Sequence, residues 1–473
     1  MTYFGLICPG STGHLNTMLP LGQELKRRGH RVTMIGRPNV EAKTLAAGLE
    51  FLLYGTEEYP QEKIAESLNH LSKLSGLAAL RYTINLNVEA KTLAAGLEFL
   101  LYGTEEYPQE KIAESLNHLS KLSGLAALRY TINLFIEGTN VLLRDAPQVI
   151  KNAGIDALLI DQALSGGAIA DFLEIPFITI CSAVVLNQDE SVPPNFTNNK
   201  YNPVWWAKLR NRATWALLRR LTKPIREVVA EYRRQWNLPL YSNPNDAYSQ
   251  IAQISHQPAE LEFPRENLPK WFHFTGPYHY SGTREPVSFP WDKLTGKPLI
   301  YASLGTVQNR LIHVFYKIAA ACDGLDAQLV ISLGGSATPE SLPNLAGNPL
   351  VVEYAPQLEI LQKATFMITH AGMNTTLECL TNGVPMVAIP IANDQPGVAA
   401  RIAWSGAGEA IPVQRLTVAQ LRKAISQVLT QPSYKQNALR LQEGIKRSGG
   451  VTRAADIIEQ AVSTGKPVLT GTI

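Results

Sequence analysis

The sequence has few of the features that mark disulfide-rich, nucleic-acid-binding or membrane-spanning proteins. Its four cysteines among 473 residues are scattered and include no Cys-x-x-Cys pair, so we predict buried free thiols in a reducing compartment. The formal net charge of +3 is too small to indicate a nucleic-acid partner. No run of about 18 apolar residues occurs, and no transmembrane helix is therefore predicted.

Length and composition are those of a soluble globular protein with room for two domains. The 473 residues are 45% hydrophobic and 18% charged, a balance that predicts sizeable buried cores. The segment Met1–Cys8 lacks the basic stretch of a signal peptide and leads directly into a Gly-rich turn. We therefore predict that it forms a first strand and that the protein is cytoplasmic.

A perfect internal repeat interrupts the first half of the chain. Residues 39–86 and 87–134 are identical at all 48 positions, including positions of solvent-facing type, which drift apart in structural repeats. Each copy contains one strand pattern and one amphipathic helix pattern. The extra strand could join the sheet, displace its twin or lie outside the core. We expect one copy to be extruded, because a doubly wound sheet has one position per connection.

Short apolar runs alternate with helix-length amphipathic runs, a pattern that indicates parallel sheets covered by helices. A Gly- and Pro-rich break at residues 274–282 separates two such sets and predicts two domains. The predicted strands are 3–8, 31–35, 157–160 and 176–180 before the break, and 299–304, 327–333, 350–354, 365–369 and 385–389 after it.

The segment after strand 365–369 is the most informative in the chain. Gly372 is predicted to permit a sharp strand-to-helix turn. Asn374, Thr375 and Thr376 are predicted to cap the new helix, whose free N–H groups and positive dipole end favour a phosphate. His370 adds a hydrogen-bond donor at the same point. The pattern therefore predicts a phosphate site at the start of this helix.

Further residues around this helix complete the pattern of a nucleotide-sugar site. Glu378, one turn further along the helix, is placed to accept hydrogen bonds from a ribose hydroxyl pair. Asp394 and Gln395 follow a buried strand, whose carboxyl end presents them to a ligand. Tyr354 and Gln357, upstream, suit a flat heterocycle. The alternatives are a surface position for the glutamate and a plain loop for residues 394 and 395.

The stretch from Tyr354 to Gln395 closely resembles the donor-binding signature of inverting UDP-glycosyltransferases with the GT-B fold. The run 394–402 is most similar to the bacterial carotenoid glucosyltransferases of that family. The resemblance implies an α/β fold of two Rossmann-like domains that face each other across a cleft, with a C-terminal helix crossing back. We expect an acceptor-binding domain at 1–277, which contains both repeat copies, a nucleotide-sugar-binding domain at 278–451, and a helix and tail at 452–473 packing on the first domain.

The N-terminal half carries the residues that the resemblance makes catalytic. His14 matches the family's catalytic histidine and Asp161 its partner carboxylate, which would hold the imidazole in one tautomer. Because His14 opens a helix, whose positive end disfavours an imidazolium, we expect a neutral base near pH 7. The alternative is that His14 is only a capping residue in a tight turn.

Ser303, Gly305 and Thr306 end another strand in a Gly turn and resemble the family's second phosphate contact; a plain turn is the alternative. No Asp-x-Asp sequence occurs, so a metal-bridged diphosphate is not expected. We expect no metal and no cofactor, with a UDP-sugar as co-substrate. The helix start and His370 would then stabilise the charge of the leaving group. Gln395 implies glucose as the sugar, since glutamine at this place accompanies glucose donors in the family.

The acceptor is expected to be lipophilic and hydroxylated. Residues 177–194 are expected to line part of its site. Residues 201–236 contain four tryptophans and nine Lys or Arg against two Glu, a composition that suits peripheral contact with the inner membrane surface. The alternative for this region is a solvated helix with its tryptophans packed inward.

The residues and the resemblance together imply UDP-sugar-dependent transfer of a hexose, with glucose expected, to a hydroxyl of a lipophilic small molecule, for which a carotenoid is one candidate; three alternatives stay open. The acceptor could be a polyketide, flavonoid or sterol. A GT-B epimerase would act on a UDP-sugar without any acceptor. The repeat could also leave a product that only binds. A dehydrogenase is disfavoured, because residues 10–13 supply only half of a Gly-x-Gly-x-x-Gly motif.

Overall fold

The computed structural model describes residues 1–9, 12–36, 98–101, 124–278, 287–305, 311–335 and 337–471. Within them the chain forms two parallel sheets. The first lobe, built on a seven-stranded sheet, contains strands β1 (Tyr3–Ile7), β2 (Arg31–Gly36), β3 (Glu98–Leu101), β4 (Ala157–Asp161), β5 (Phe177–Cys181), β6 (Gln253–Ser255) and β7 (Phe272–Phe274). The second lobe, built on a six-stranded sheet, contains β8 (Leu299–Ser303), β9 (Gln328–Ser332), β10 (Leu350–Val352), β11 (Ala364–Thr369), β12 (Met386–Ala388) and β13 (Gly408–Ala410).

Helices cover both sheets. Those that connect strands of the first sheet are α1 (Thr12–Arg27), α2 (Gly124–Ala153), α3 (Gly167–Leu173), α4 (Trp205–Leu221) and α5 (Lys223–Gln235). Those of the second lobe are α6 (Ile312–Cys322), α7 (Gln357–Leu361), α8 (Met373–Thr381), α9 (Gln395–Ser405), α10 (Val418–Thr430) and α11 (Pro432–Arg447), followed by the C-terminal α12 (Gly450–Thr464). None of the described helices is both long enough and apolar enough to cross a bilayer.

Both sheets are doubly wound in the same order. The first runs β3-β2-β1-β4-β5-β6-β7 and the second β10-β9-β8-β11-β12-β13. In each sheet the chain begins at a central strand, β1 or β8, and adds the next two strands outward on one side. It then returns and adds β4 or β11 on the other side of that first strand. In open parallel sheets, ligands bind at the carboxyl end of that switch point. The prediction of two Rossmann-like units is confirmed.

Strands that the sequence predicted from long apolar runs are found within one or two residues of their predicted ends. The four buried cysteines are free, as predicted. Three strands were not predicted: β6, β7 and β13 are each only three residues long. The domain boundaries at 277/278 and 451/452 stay predictions, and the first of them falls in the connection between β7 and β8.

The C-terminal helix returns to the first lobe. Ile457 and Ile458 of α12 are fully buried in the core that contains Phe4 of β1 and Leu15 of α1. At the surface of this contact, Arg28 donates 2.6 Å hydrogen bonds to Asp456 and Glu459. The expectation of a helix that crosses back is confirmed.

Only part of the repeat can be compared with its prediction. Residues 39–86, the first copy, lie outside the described residues. In the second copy, Glu98–Leu101 forms the edge strand beside β2 and residues 124–134 begin α2. One repeat strand therefore occupies the single position expected at this edge, and the predicted extrusion of the other copy stays a prediction.

Candidate active site

The site begins at the carboxyl ends of β1 and β4, which are neighbours in the first sheet. The chain leaves β1 through a short turn and enters α1, where His14 is the third residue. Asp161 is the last residue of β4 and is fully buried. Because parallel strands end at the same edge, two residues that are 147 positions apart in the sequence meet there.

His14 and Asp161 form a hydrogen-bonded pair. His14 Nδ1 lies 2.7 Å from Asp161 Oδ2, and the imidazole keeps 22% of its side-chain surface exposed against 1% for the carboxylate. Since a carboxylate oxygen only accepts, Nδ1 carries the proton and Nε2 keeps its lone pair. The pair therefore presents a basic nitrogen to solvent from a buried anchor.

The charge balance at His14 differs from the sequence argument. Burial disfavours the charged imidazole, but the Asp161 carboxylate, through its charge and its hydrogen bond, and more remotely Asp394 raise the pKa of His14 above its usual 6.5. The sequence argument, which expected the helix start to keep His14 neutral near pH 7, did not include these carboxylates, and the direction of the pKa shift is opposite to the effect it invoked. The two carboxylates outweigh the burial of the imidazole.

Ser182 joins this pair and was not predicted from the sequence. It follows β5, is buried, and its Oγ lies 2.6 Å from His14 Nδ1 while donating a hydrogen bond to the same Oδ2 of Asp161. The sequence contained a usable signal, because a polar residue directly after a predicted buried strand lies at the ligand-binding edge.

A polar chain supports the site from behind and was also missed. Gln162 Nε2 donates to Asn187 Oδ1 at 2.6 Å, and Asn187 Nδ2 donates to Gln253 Oε1 at 2.9 Å. His256 is buried beside them, with Nδ1 2.8 Å from the carbonyl oxygen of Cys181, and burial lowers its pKa to about 4. These contacts hold fixed the segment that carries Ser182.

The second lobe contributes its residues at the equivalent switch point, between β8 and β11. His370 follows β11, and its ring lies in a cradle between Gly305 and Gly372, where an added Cβ would come within 2.8 Å and 2.6 Å of the ring. Burial lowers the pKa of His370 to about 4, against a smaller opposing effect from a backbone hydrogen bond with Ser303. The imidazole is therefore neutral at physiological pH.

The start of α8 corrects two details of the prediction. The left-handed residue in the turn is Ala371, with φ of 63°, whereas Gly372 has an ordinary φ of −66° and is the N-cap. No side chain caps the helix, so the predicted capping by Asn374, Thr375 and Thr376 is wrong. The first N–H groups of α8 are consequently not used by side-chain caps and can serve an anion.

Glu378 and Gln357 are brought together as the sequence suggested. Gln357 Nε2 donates to Glu378 Oε2 at 2.5 Å and lies 3.4 Å from Thr375 Oγ1. Tyr354 packs its phenol ring directly against Gly335 after β9, and the residue is 38% exposed.

The two lobes meet across the site. Asn374 Nδ2 donates a 2.7 Å hydrogen bond to the carbonyl oxygen of Gly13, the residue before His14. Asp394, at the N-cap of α9, interacts electrostatically with His14. Gln395 is buried, and its Oε1 accepts hydrogen bonds from its own loop, at 2.8 and 2.9 Å. Thr306 lies outside the described residues.

Among the described residues, no three His, Cys, Asp or Glu side chains form a group that could hold a metal ion. The arrangement combines an oriented base in one lobe with an anion-binding helix start in the other. That combination suits transfer of a group from a diphosphate to a nucleophile.

Comparison with known proteins identifies the family. A model of the UDP-glucoronosyl and UDP-glucosyl transferase family matches residues 109–447. The zeaxanthin glucosyltransferase of Pantoea ananas is 30% identical over 475 aligned positions, covering all of this chain and 98% of the relative. The chain belongs to the UDP-glycosyltransferase family.

Other similarities agree with this assignment. The zeaxanthin glucosyltransferase of Pseudescherichia vulneris is 31% identical over 334 residues, 70% of this chain and 79% of that enzyme. Among solved structures, the glycosyltransferase of kitacinnamycin superposes with a TM-score of 0.68 at 21% identity, over 97% of this chain and 98% of that one, which supports the fold. This UDP-glycosyltransferase is thus an enzyme of glycosyl transfer with the GT-B fold, and a nucleotide sugar is its donor.

Proposed function

We propose that this UDP-glycosyltransferase transfers glucose from UDP-glucose to a hydroxyl group of a lipophilic small molecule, with inversion at the anomeric carbon. The observation that carries the proposal is the meeting of His14 and Asp161 of the first lobe with Asp394 and Asn374 of the second. A base and a donor site that face each other can act on two substrates bound between them.

The donor would be held by the second lobe. Its diphosphate suits the N-terminus of α8, where backbone N–H groups and the positive dipole end favour negative charge. His370 Nδ1 is buried without a hydrogen-bond partner among the described residues, which supports a role for this ring toward a ligand. Because its imidazole is neutral, it would act as a hydrogen-bonding group and not as a charge.

The remaining donor contacts follow the family pattern. Glu378, already oriented by Gln357, would accept from the ribose hydroxyls. Tyr354 would contact the uracil, and Asp394 and Gln395 at the start of α9 would contact the sugar. Ser303, Gly305 and Thr306 would complete the phosphate site. No metal or cofactor is part of the proposal, because the helix start and its neighbours supply the stabilisation that a cation would give.

The chemical step would be a single displacement. His14 Nε2 accepts the proton of the acceptor hydroxyl as the oxygen forms a bond to the anomeric carbon. The bond from that carbon to the UDP oxygen breaks on the opposite face, and UDP leaves with the electron pair. The transition state has oxocarbenium character. Asp161 stabilises the imidazolium that forms and keeps the ring oriented.

For the acceptor, we propose a hydroxylated carotenoid. The support is the 30% identity over the whole chain to an enzyme named zeaxanthin glucosyltransferase. Glucose as the sugar rests on Gln395 and on the names of the same relatives.

The test is mass spectrometry of the purified protein with UDP-glucose and a panel of hydroxylated carotenoids, flavonoids, sterols and macrolides, with and without a chelator. We expect a mass gain of one hexose on the carotenoid, unchanged by the chelator, and a β-linked product from the α-linked donor. Loss of turnover in the chelator would contradict a metal-free mechanism. If UDP-glucose alone gave an epimer and no acceptor was glycosylated, the reaction would be epimerisation and not transfer.

A His14→Ala variant tests the assigned base. Turnover should fall by about 10²–10⁴-fold, because the acceptor hydroxyl loses its proton acceptor. The affinity for UDP, measured by calorimetry, should change little, since the proposed phosphate contacts belong to the other lobe. Unchanged turnover would remove His14 from the mechanism.

A further inference from the structure

The outer face of helix α4 is apolar and exposed. Trp205 is 76% exposed, Trp206 49%, Leu209 58% and Leu217 56%. Residues 205, 209, 213, 216 and 220 recur at the three- and four-residue spacing of one helical face, and all five are exposed. Helix surfaces that face water are ordinarily polar. In α4, by contrast, the side that faces water carries large apolar residues.

The opposite side of the helix packs against the rest of the protein. Ala207, Asn211 and Trp215 are buried. Trp215 Nε1 donates to the carbonyl oxygen of Asp189 at 3.0 Å, and Asn211 Nδ2 donates to that of Glu190 at 3.3 Å. The alternative of inward-packed tryptophans therefore holds for Trp215 but not for Trp205 and Trp206.

The charges of helix α4 itself all have one sign, although Arg212 Nε lies 3.7 Å from the exposed Glu190 carboxylate of the neighbouring segment. Helix α4 carries five Lys or Arg residues and no Asp or Glu. Arg212 and Arg220 are exposed beside the apolar residues, and Arg210 lies with its guanidinium carbon 5.8 Å from the centre of the Trp206 ring. Tryptophan and arginine together favour the boundary between water and the acyl chains of an anionic bilayer.

We propose that the outer face of α4, formed by Trp205, Trp206, Leu209 and Leu217 with Arg212 and Arg220 beside them, binds the surface of an anionic phospholipid bilayer. The helix lies in the plane of the interface, its apolar side chains enter the upper acyl region, and its guanidinium groups meet lipid phosphates. We favour an anionic lipid over a protein partner, because exposed tryptophan and leucine side chains with arginines beside them match the apolar and charged layers of a bilayer surface.

The position of this face has a consequence for the reaction, which rests on the proposed lipophilic acceptor. Asp189 and Glu190, which hold α4, belong to the segment that begins at Ser182 beside the catalytic pair. This one segment therefore links the proposed membrane face to the dyad along the chain. We expect carotenoid dissolved in a bilayer bound at α4 to enter the acceptor site from that bilayer.

The test is co-sedimentation of the protein with sucrose-loaded vesicles, without either substrate. Vesicles of phosphatidylglycerol and phosphatidylcholine are compared with vesicles of phosphatidylcholine alone. The wild type should bind the anionic vesicles. The triple variant Trp205→Ser/Trp206→Ser/Leu209→Ser should lose binding by about tenfold or more. The matched control Leu240→Ser/Trp291→Ser removes exposed apolar side chains elsewhere, 50% and 39% exposed, and should bind like the wild type.

A second pair of variants tests charge. Arg212→Gln and Arg220→Gln should each weaken binding to anionic vesicles by about fivefold and leave phosphatidylcholine unaffected. The proposal is overturned if the wild type ignores anionic vesicles, or if the triple variant binds as well as the control. It is also overturned if light scattering shows a wild-type dimer that the triple variant converts to a monomer, because the face would then be an interface between copies.

Activity assays separate this inference from the proposed function. The triple variant should glucosylate a detergent-dispersed acceptor at the wild-type rate but lose at least about tenfold toward the same acceptor in vesicles. Vesicle binding without transfer to any acceptor would refute the proposed function alone. Transfer by a wild type that does not bind anionic vesicles would refute this inference alone.

Discussion

A single carboxylate oxygen governs the basicity of the candidate base. Asp161 Oδ2 accepts a hydrogen bond from Ser182 and lies 2.7 Å from His14 Nδ1. The serine disperses part of the carboxylate charge, and the histidine responds to what remains. We therefore propose that Ser182 is a positioning residue that acts through Asp161.

A pH profile measures this balance. Because the pKa of His14 is raised, the base is protonated and inactive below it, so the acidic limb of kcat/KM should lie above pH 6.5 in the wild type. In Ser182→Ala the carboxylate charge is less dispersed and attracts the imidazolium more strongly. The acidic limb should therefore move to higher pH.

The control for this experiment is Ser182→Thr, which retains the hydroxyl and should restore the wild-type limb. A merely structural serine would lower kcat in the alanine variant without moving the limb. An acid shift would contradict the proposed effect of Ser182 on the Asp161 charge.

At the residue level the sequence predicted side chains that follow strands but not what those side chains contact. His14 and Asp161 were placed in one site and are in direct contact. Asn374 was predicted to cap α8 and contacts Gly13 of the other lobe instead. Short polar side chains at a helix start have several partners within reach, and tertiary contacts decide among them.

The element that shapes the donor site is the turn between β11 and α8. Gly372 there has an ordinary φ of −66°, so backbone strain does not explain the residue. What the position requires is space: an added Cβ would come within 2.6 Å of His370 Nε2. The glycine lets the imidazole lie against the start of the helix.

A Gly372→Ala variant should accordingly displace the His370 ring and raise KM for UDP-glucose by about tenfold, the effect of losing one hydrogen-bonding group to a phosphate. Steady-state kinetics with the donor varied measures this. The control Gly296→Ala has no atom within 4 Å of its added Cβ; its φ of 78° strains an alanine and lowers stability, but KM should stay unchanged. Equal KM values in both variants would mean that the ring position does not affect the donor.

The repeat changes one connection of the first sheet. Sixty-one residues separate Gly36 of β2 from Glu98 of β3, and removing one 48-residue copy leaves 13. Deletion of either copy gives the same chain, in which the remaining copy supplies the edge strand and the start of α2.

The deletion variant lacking residues 87–134 should be at least as stable and as active as the full chain. A shorter connection lowers the loop-closure cost of pairing β3 with β2 by about 1 kcal/mol. Differential scanning calorimetry and turnover of the two proteins side by side provide the measurement. A clear drop in melting temperature would show that both copies contribute packing.

Strands that coincide with a clear apolar run were predicted, including the three-residue strands β10 and β12, whereas β6, β7 and β13 were missed. Apolar runs such as residues 157–160 were assigned to strands, because a buried parallel strand is largely apolar. Gly408–Ala410 contains a Gly and a Glu in three residues, and only pairing with β12 makes it a strand. Such edge strands depend on neighbours that the local sequence does not specify.

At the scale of the whole molecule, a buried ion pair between Arg401 and Glu262 connects the lobes. Arg401 of α9 is fully buried and donates to Glu262 Oε1 of the first lobe at 2.5 Å. Arg265 Nε lies 3.3 Å from the same oxygen. The Arg401 guanidinium also lies over the Phe263 ring, 4.4 Å from its centre. Because α9 begins at Asp394 and Gln395, which are proposed to hold the sugar, this ion pair helps to set the position of those two residues relative to His14.

An Arg401→Ala variant should lower the free energy of unfolding by about 3–5 kcal/mol, because it leaves Glu262 buried with one partner fewer. Urea denaturation followed by tryptophan fluorescence measures the loss. The matched control Arg415→Ala removes an exposed arginine of the same lobe and should stay within about 0.5 kcal/mol of the wild type. Equal losses of unfolding free energy in the two variants would mean that the Arg401–Glu262 ion pair adds no stability.

The position of α12 decides how this enzyme could be recombined with a relative. The last helix follows the second lobe in sequence, yet its side chains fill the core of the first lobe. A chimera made with one crossover between the lobes would therefore pair a foreign α12 with a native core. Exchange of acceptor specificity requires two crossovers, with residues from Gly450 onward inherited together with the N-terminal half.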